Sequence, residues 1–196
     1  MSIVTLVSGG LDSTLMAVLA RDAGVNQFPL FINYGQRALK HELAACRRSM
    51  RNNRLPKPAV ADVAGFGKLI RSGLTDSARH IMEDAFTPGR NLLFLLLGGA
   101  YAYQVGANAV AIGLLTERTS LFPDQTSRFA ANAESLLSEC LGRELGVVMP
   151  LKEFTKSDVV RVAGEKKIHG TYSCHSGNES PCGKCISCRE FQFEEN

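Results

Sequence analysis

Ile3-Val4-Thr5-Leu6-Val7-Ser8-Gly9-Gly10-Leu11-Asp12-Ser13 carries the chain from an apolar, β-branched run through two glycines into helical spacing. Residues 3–7 read as a buried strand, and Leu15, Met16, Val18 and Leu19 give residues 12–23 a helical period. The glycines permit a tight turn and let backbone N–H groups approach an anion, to which the helix N-terminus adds its dipole. This predicts a phosphate-binding loop at the carboxyl end of the first strand. The loop matches neither G-x-x-x-x-G-K-[ST] nor G-x-G-x-x-G, which excludes the standard P-loop and dinucleotide readings. The plain alternative is a Gly-Gly turn with Asp12 and Ser13 serving only as helix caps.

The same alternation continues outward from this unit. Strands are expected at 28–33, 56–63, 109–114 and 146–149, and helices at 39–52, 91–105, 127–141 and 156–165. The Gly-containing stretch 64–88 reads as a long loop with short helical pieces, a length at which loops are usually functional. Strands alternating with helices predict a doubly wound α/β fold with a mainly parallel sheet and its ligands at the strand carboxyl ends. Residues 1–196 are expected to form one domain, with a small C-terminal four-cysteine segment at 172–190.

Composition bounds the function. The chain has 196 residues, 45% of them hydrophobic and 21% charged, which is enough to bury a core without staples elsewhere. A net charge of +3 is too small to argue for nucleic acid, and Arg47, Arg48, Arg51 and Arg54 read as a solvated helix face. The apolar run 92–103 is shorter than the roughly 20 residues of a spanning helix, and no secretory signal pattern opens the chain. A cytoplasmic protein without a membrane partner is expected.

Four of the six cysteines crowd the tail as Cys174-x7-Cys182-x2-Cys185-x2-Cys188, with Gly183 allowing a tight knuckle. Four thiolates at this spacing suit a closed tetrahedral zinc site of structural type, and an iron–sulfur cluster is the alternative. Cys46 and Cys140 fall on predicted helices as small apolar residues.

Ser8-Gly9-Gly10-x-Asp12-Ser13 after an N-terminal strand resembles the signature of PP-loop ATP pyrophosphatases, which split ATP to AMP and pyrophosphate while adenylating a substrate oxygen. Further matches are Tyr34-Gly35-Gln36-Arg37, Pro88-Gly89-Arg90-Asn91, Gly113, Phe122-Pro123-Asp124, Thr155-Lys156 and the stretch from Ser173-Cys174-His175 to Cys188-Arg189. With these the chain resembles the 7-cyano-7-deazaguanine synthase family nearly end to end. That family converts 7-carboxy-7-deazaguanine, ammonia and ATP to the nitrile of the queuosine pathway.

The resemblance implies catalytic roles for Asp12, Ser13, Arg90 and Lys156. It implies ATP contacts from Val7, Ser8, Gly9, Gly10, Leu11, Asp12, Ser13, Thr14, Tyr34, Gln36, Arg37 and Gly113. Substrate contacts would come from Arg90, Asn91, Glu117, Phe122 and Asp124, and metal ligation from Cys174, Cys182, Cys185 and Cys188. Magnesium would accompany ATP, and a homodimer stays open. Arg90 and Asn91 also suit a plain helix start, and Lys156 an exposed helix lysine.

The chain departs from the family pattern in two loops. Ala38 and His41 stand where members carry His and its acidic partner, with Glu42 one step out of register, and residues 116–126 replace a Glu-Thr-Asp…Ser-Gly-Tyr-Pro-Asp-Cys-Arg pattern. Both loops belong to substrate recognition, so transfer to another amine acceptor on a protein or nucleic acid is a rival reading. Further rivals are a tRNA-modifying PP-loop enzyme and a non-catalytic ATP sensor.

Overall fold

The computed structural model describes residues 1–192. Five parallel strands, β1 (Ser2–Leu6), β2 (Asn26–Asn33), β3 (Ala59–Asp62), β4 (Ala109–Ala111) and β5 (Gly146–Val148), form one sheet in the order β3-β2-β1-β4-β5. β1 lies at the centre and pairs with β2 from Ser2↔Asn26 to Leu6↔Leu30 and with β4 from Ile3↔Ala109 to Thr5↔Ala111. The chain therefore winds outward in one direction through β2 and β3, then returns to the other side of β1 for β4. That reversal opens a crevice at the carboxyl ends of β1 and β4, where open α/β sheets take their ligands.

Both faces of the sheet are covered, which is why β1 reads as a continuous apolar run. Ile3, Val7 and Phe31 face helices α1 (Leu11–Asp22), α2 (Leu39–Asn52) and α6 (Lys156–Glu165), packing with Leu15, Met16, Met50 and Val159. Val4, Leu6, Leu30 and Ile32 face α4 (Arg90–Val105) and α5 (Ser127–Leu141), packing with Leu95, Ala102, Ala133 and Leu137. In mid-α4, a Cβ on Gly98 would lie 2.7 Å from Val110 Cγ1, so glycine is what lets this helix approach β4. No helix among the described residues is long and apolar enough to cross a membrane.

The doubly wound parallel sheet predicted from the alternation is present, and the helix bounds agree to within about a residue. The fourth strand ends at Ala111, short of the predicted 109–114; Ile112 still gives its N–H to Val148, and the chain leaves the sheet after it. The 64–88 stretch holds only α3 (Gly65–Leu69) and turns. A seven-residue helix, α7 (Ile186–Gln192), was not expected in the cysteine tail; it is too short to show a period.

Candidate active site and cysteine knuckle

The glycine loop sits at the topological switch. Gly9 adopts φ +87°, and a Cβ there would come 2.4 Å from the Glu42 carbonyl oxygen and 2.7 Å from the Cys46 nitrogen. Glycine is therefore demanded twice, by the backbone conformation and by contact with α2. Around the loop, backbone donors meet hydroxyls. Ser8 N–H donates to Ser13 Oγ at 3.1 Å, Gly10 N–H to Ser8 Oγ at 3.2 Å, and Leu11 N–H to Ser173 Oγ at 3.4 Å. The Gly10 and Leu11 N–H groups sit at the start of α1, whose N-cap Gly10 offers no side-chain cap of its own. They are the donors that anions take at helix N-termini.

Asp12 and Lys156, 144 positions apart, meet here. The Lys156 ammonium donates to both Asp12 oxygens at 2.8 and 2.9 Å and reaches Glu190 Oε2 at 3.1 Å. Burial alone would lower the lysine's pKa, but the two carboxylates outweigh it and hold the value above the usual one. Burial raises Glu190 in turn, against the pull of Lys156.

A cleft of about 240 Å³ opens above the loop, lined by Val7, Ser8, Gly10, Leu11, Asp12, Ser13 and Gly113 together with Tyr34, Gln36, Arg90 and Asn91. Its far wall is aromatic. The Arg90 guanidinium lies 6.0 Å from the Tyr34 ring centre and 5.8 Å from that of Phe94, with the two rings 5.2 Å apart. Burial pushes the Tyr34 hydroxyl up to about 12. Buried Arg90 Nε has no hydrogen-bond partner among the described residues. A planar cationic fork beside aromatic rings suits a flat, anionic ligand.

Of the remaining residues named from the sequence, Thr14 is turned inward, its hydroxyl on the Gly10 carbonyl at 2.8 Å. Gly9 faces α2. Arg37 points away from the cleft and donates to the Gly73 carbonyl at 3.1 Å. Glu117 accepts from the Ser127 N–H at the start of α5, Phe122 packs on Phe86 at 5.2 Å, and Asp124 offers its carbonyl to Asn91 Nδ2 at 2.9 Å. Glu117, Phe122 and Asp124 thus lie outside the lining of the main cleft.

The structure also adds residues that the sequence reading did not name as site residues. Glu42 lines the cleft and accepts from Gln36 Nε2 at 3.0 Å; burial pushes its carboxyl up to about 7, offset in part by Gln36 and Arg90. From the tail come Tyr172, Ser173, His175 and Ser187. Burial, with Arg90 and Lys156 nearby, pushes His175 down to about 4 and keeps it neutral, and its Nδ1 is buried without a partner among the described residues. Ser173 and His175 stand inside the motif around Cys174, which was the available signal; the stacking of Tyr172 on His41 at 5.2 Å had none.

The four tail cysteines come together, their sulfurs all within 4.8 Å of one another. A tetrahedral zinc with Zn–S of about 2.3 Å needs sulfurs about 3.8 Å apart, and Cys182 and Cys188 sit at 4.0 Å. The N–H groups of Cys182, Cys185 and Cys188 each point to the sulfur of another cysteine at 3.4 Å, the hydrogen bonding that steadies thiolates. A four-iron cluster binds each thiolate through a separate iron and spreads the sulfurs farther. The donor set therefore fits a single tetrahedral ion.

The model of the family described as "Queuosine biosynthesis protein QueC" matches residues 2–195. A 7-cyano-7-deazaguanine synthase of Nautilia profundicola is 32% identical over 198 residues, covering 95% of this chain and 89% of that one. One from Prochlorococcus marinus is 33% identical over 204 residues, covering 95% and 89%. Among solved structures, an NMN synthetase from Francisella tularensis aligns with TM-score 0.55 at 13% identity over 99% of this chain and 76% of that one. A U34-tRNA thiolase from Methanococcus maripaludis aligns with TM-score 0.53 at 14% identity, covering 100% and 66%. These likenesses bear on the fold, whereas the family match spans nearly every residue: the chain belongs to the QueC family.

Proposed function

We propose that this chain converts 7-carboxy-7-deazaguanine, ammonia and ATP to 7-cyano-7-deazaguanine through an adenylated intermediate. The observation that carries the reading is the Lys156 ammonium fixed against Asp12, which lines the same cleft as Arg90, Tyr34 and Phe94. The loop N–H groups, with Ser8 and Ser13, hold the pyrophosphate of ATP, and Lys156 offsets the charge that grows as the bond to the α-phosphate breaks. Arg90 orients the carboxylate of the acid, whose flat ring lies against Tyr34 and Phe94.

The carboxylate oxygen attacks the α-phosphate and pyrophosphate leaves. Ammonia then displaces AMP to give the amide, and a second activation, on the amide oxygen, releases the nitrile. No side chain becomes a covalent nucleophile, so positioning and electrostatics supply the rate. Asp12 would hold magnesium, which would supply further neutralisation of the phosphate charge. Zinc in Cys174, Cys182, Cys185 and Cys188 would fold the tail.

The test is mass spectrometry of the purified protein with the acid, ATP and ammonium. Nitrile and amide are expected, together with AMP; neither product appearing would overturn the reading. AMP release that needs a protein or nucleic acid in place of ammonium would replace it with transfer to another amine.

A further inference from the structure

On the far side of Asp12 lies a second cavity of about 100 Å³. It shares Asp12, Gly113 and Leu114 with the main cleft and adds Thr116, Ser120 and Glu190. Gly113 stands in the partition, where even a Cβ would lie 3.6 Å from the Ser13 backbone. The two cavities therefore touch at the residues that end β4 and begin α1.

Hydrogen-bond acceptors dominate this lining. Two carboxylates, Asp12 and Glu190, share the one ammonium of Lys156 at 2.8 and 3.1 Å, which leaves the trio with a net negative charge. Thr116 is only 9% exposed, and its backbone is fully used: its N–H donates to the Phe154 carbonyl and its own carbonyl accepts from Thr119. Its hydroxyl nevertheless has no hydrogen-bond partner among the described residues. The hydroxyl is open to the cavity rather than sealed in protein, so it is free to accept a hydrogen bond from a ligand there.

We infer that this cavity binds the nitrogen donor as ammonium, held by the Thr116 hydroxyl and the Asp12 and Glu190 carboxylates. The inference rests on the reaction proposed above and adds to it the place from which the nitrogen attacks. Ammonium carries one positive charge and four N–H donors with no acceptor, the complement of this lining. The Lys156 ammonium between the same two carboxylates demonstrates that they accept such a group. Phosphate or carboxylate ligands meet like charge here, and a nucleotide is too large.

Ammonium gives one proton to the Asp12 carboxylate, and the freed lone pair forms the bond to the carbonyl carbon of the acyl adenylate. The bond from that carbon to the AMP oxygen breaks and its electron pair leaves with AMP. The second nitrogen-borne proton passes to water, so one ammonium and one acyl adenylate give one amide, AMP and two protons.

Titrating ammonium at saturating ATP and acid, on the full chain, tests the assignment. Thr116→Val keeps the volume and removes the hydroxyl; it is expected to raise the KM for ammonium about tenfold while the KM for ATP moves less than twofold. Tenfold corresponds to about 1.4 kcal/mol, within the range of a hydrogen bond to a charged group. Ser120→Ala, at a half-buried position, is expected to raise the same KM about threefold and carries the test if the valine variant melts early.

An unmoved ammonium KM in the folded variants overturns the assignment. So does a raised magnesium requirement with an unmoved ammonium KM, which would make the cavity a metal site. Acid-dependent exchange of pyrophosphate into ATP reads the underlying reaction separately, since it needs no ammonium. If wild-type protein lacks that exchange, reaction and inference fall together; exchange retained with an unmoved ammonium KM removes the inference alone.

Discussion

The Ser8–Ser13 loop and the tail around the Cys174–Cys188 knuckle both contribute walls to one cleft, but different physics holds each of them. The loop hangs between the central strand β1 and the twelve-residue helix α1, both buried against the main core. The knuckle has no strand, one seven-residue helix, and a small cluster of Cys174, Cys185 and Cys188 flanked by Ile81, Tyr172 and Cys182. It is tied to the loop by the Tyr172 N–H on the Gly9 carbonyl at 2.9 Å, Ser173 on Leu11, and Glu190 on Lys156. Folding the sheet preorganises one wall of the site; the other rests on four converging thiols that could hold an ion.

The sharpest way to break this contrast is to remove a ligand. Cys185 is fully buried, and its thiol is pushed up to about 12 by burial, so it ionises only when a metal offsets the cost. Cys185→Ser is expected to abolish stoichiometric metal by elemental analysis and to open the tail to proteolysis. ATP binding by calorimetry should weaken at least tenfold while the sheet persists by circular dichroism. Structural zinc is worth about 10 kcal/mol or more in small peptides, so this is the largest effect expected. Unchanged ATP affinity in the metal-free variant would show that the knuckle does not shape the cleft.

Gly9→Ala strikes the other wall. The new methyl would meet the backbone of α2 at 2.4 Å in a left-handed conformation, and neither partner is a flexible side-chain end. A loss of about 3 kcal/mol or more in urea unfolding is expected, with metal content intact. A loss below about 1 kcal/mol would mean the loop bends away freely.

Glu42 joins the two walls, lining the cleft while its helix backs the loop. Its carboxyl titrates near 7 in the fold, against an ordinary 4.5, because burial opposes its charge. Between those values the folded chain binds more protons than the unfolded one, so stability falls as pH rises through the window. The contribution is full below about pH 4.5 and lost above about pH 7, at most about 3 kcal/mol. Asp22, Asp76 and Asp158 are held below their ordinary values by hydrogen bonds and cationic neighbours, so they act at lower pH with the opposite sign. Unfolding at pH 5 and 8 is expected to show a smaller drop in Glu42→Gln than in the parent; equal drops would assign the titration elsewhere.

The same contrast sets what was legible. β1, the glycine loop and α1 are contiguous, and their signals of an apolar run, a glycine pair and a helical period are local. The cysteine spacing was equally plain, and the sulfurs do converge. The sequence did not disclose that the knuckle packs on the loop, since Tyr172 on Gly9 and Glu190 on Lys156 join residues no period links. Ser173 and His175 were visible as parts of a motif, yet their place in the cleft wall follows from where the tail lands. Arg37, Glu117, Phe122 and Asp124 lie outside the cleft lining for the converse reason: each lies in a matching motif or loop, but the side chain is drawn off by Gly73, Ser127 or Phe86, or only the carbonyl is used.

The smallest test concerns how Lys156 is aimed between the two walls. It is the first residue of α6, where its positive charge opposes the helix dipole, so the start of this helix needs support. Thr155 and Asp158 supply it as a reciprocal cap: Thr155 Oγ1 accepts from the Asp158 N–H at 3.2 Å, and Asp158 Oδ2 accepts from the Thr155 N–H at 3.0 Å. Thr155→Ala is expected to cost about 1 kcal/mol in unfolding, whereas Thr155→Ser keeps the cap and loses little. ATP affinity should fall about twofold in the alanine variant and recover in the serine one, because fraying the first turn loosens the lysine whose carboxylate partners come one from each wall. If stability falls but ATP affinity does not, Asp12 and Glu190 alone position Lys156, and the cap serves only the helix.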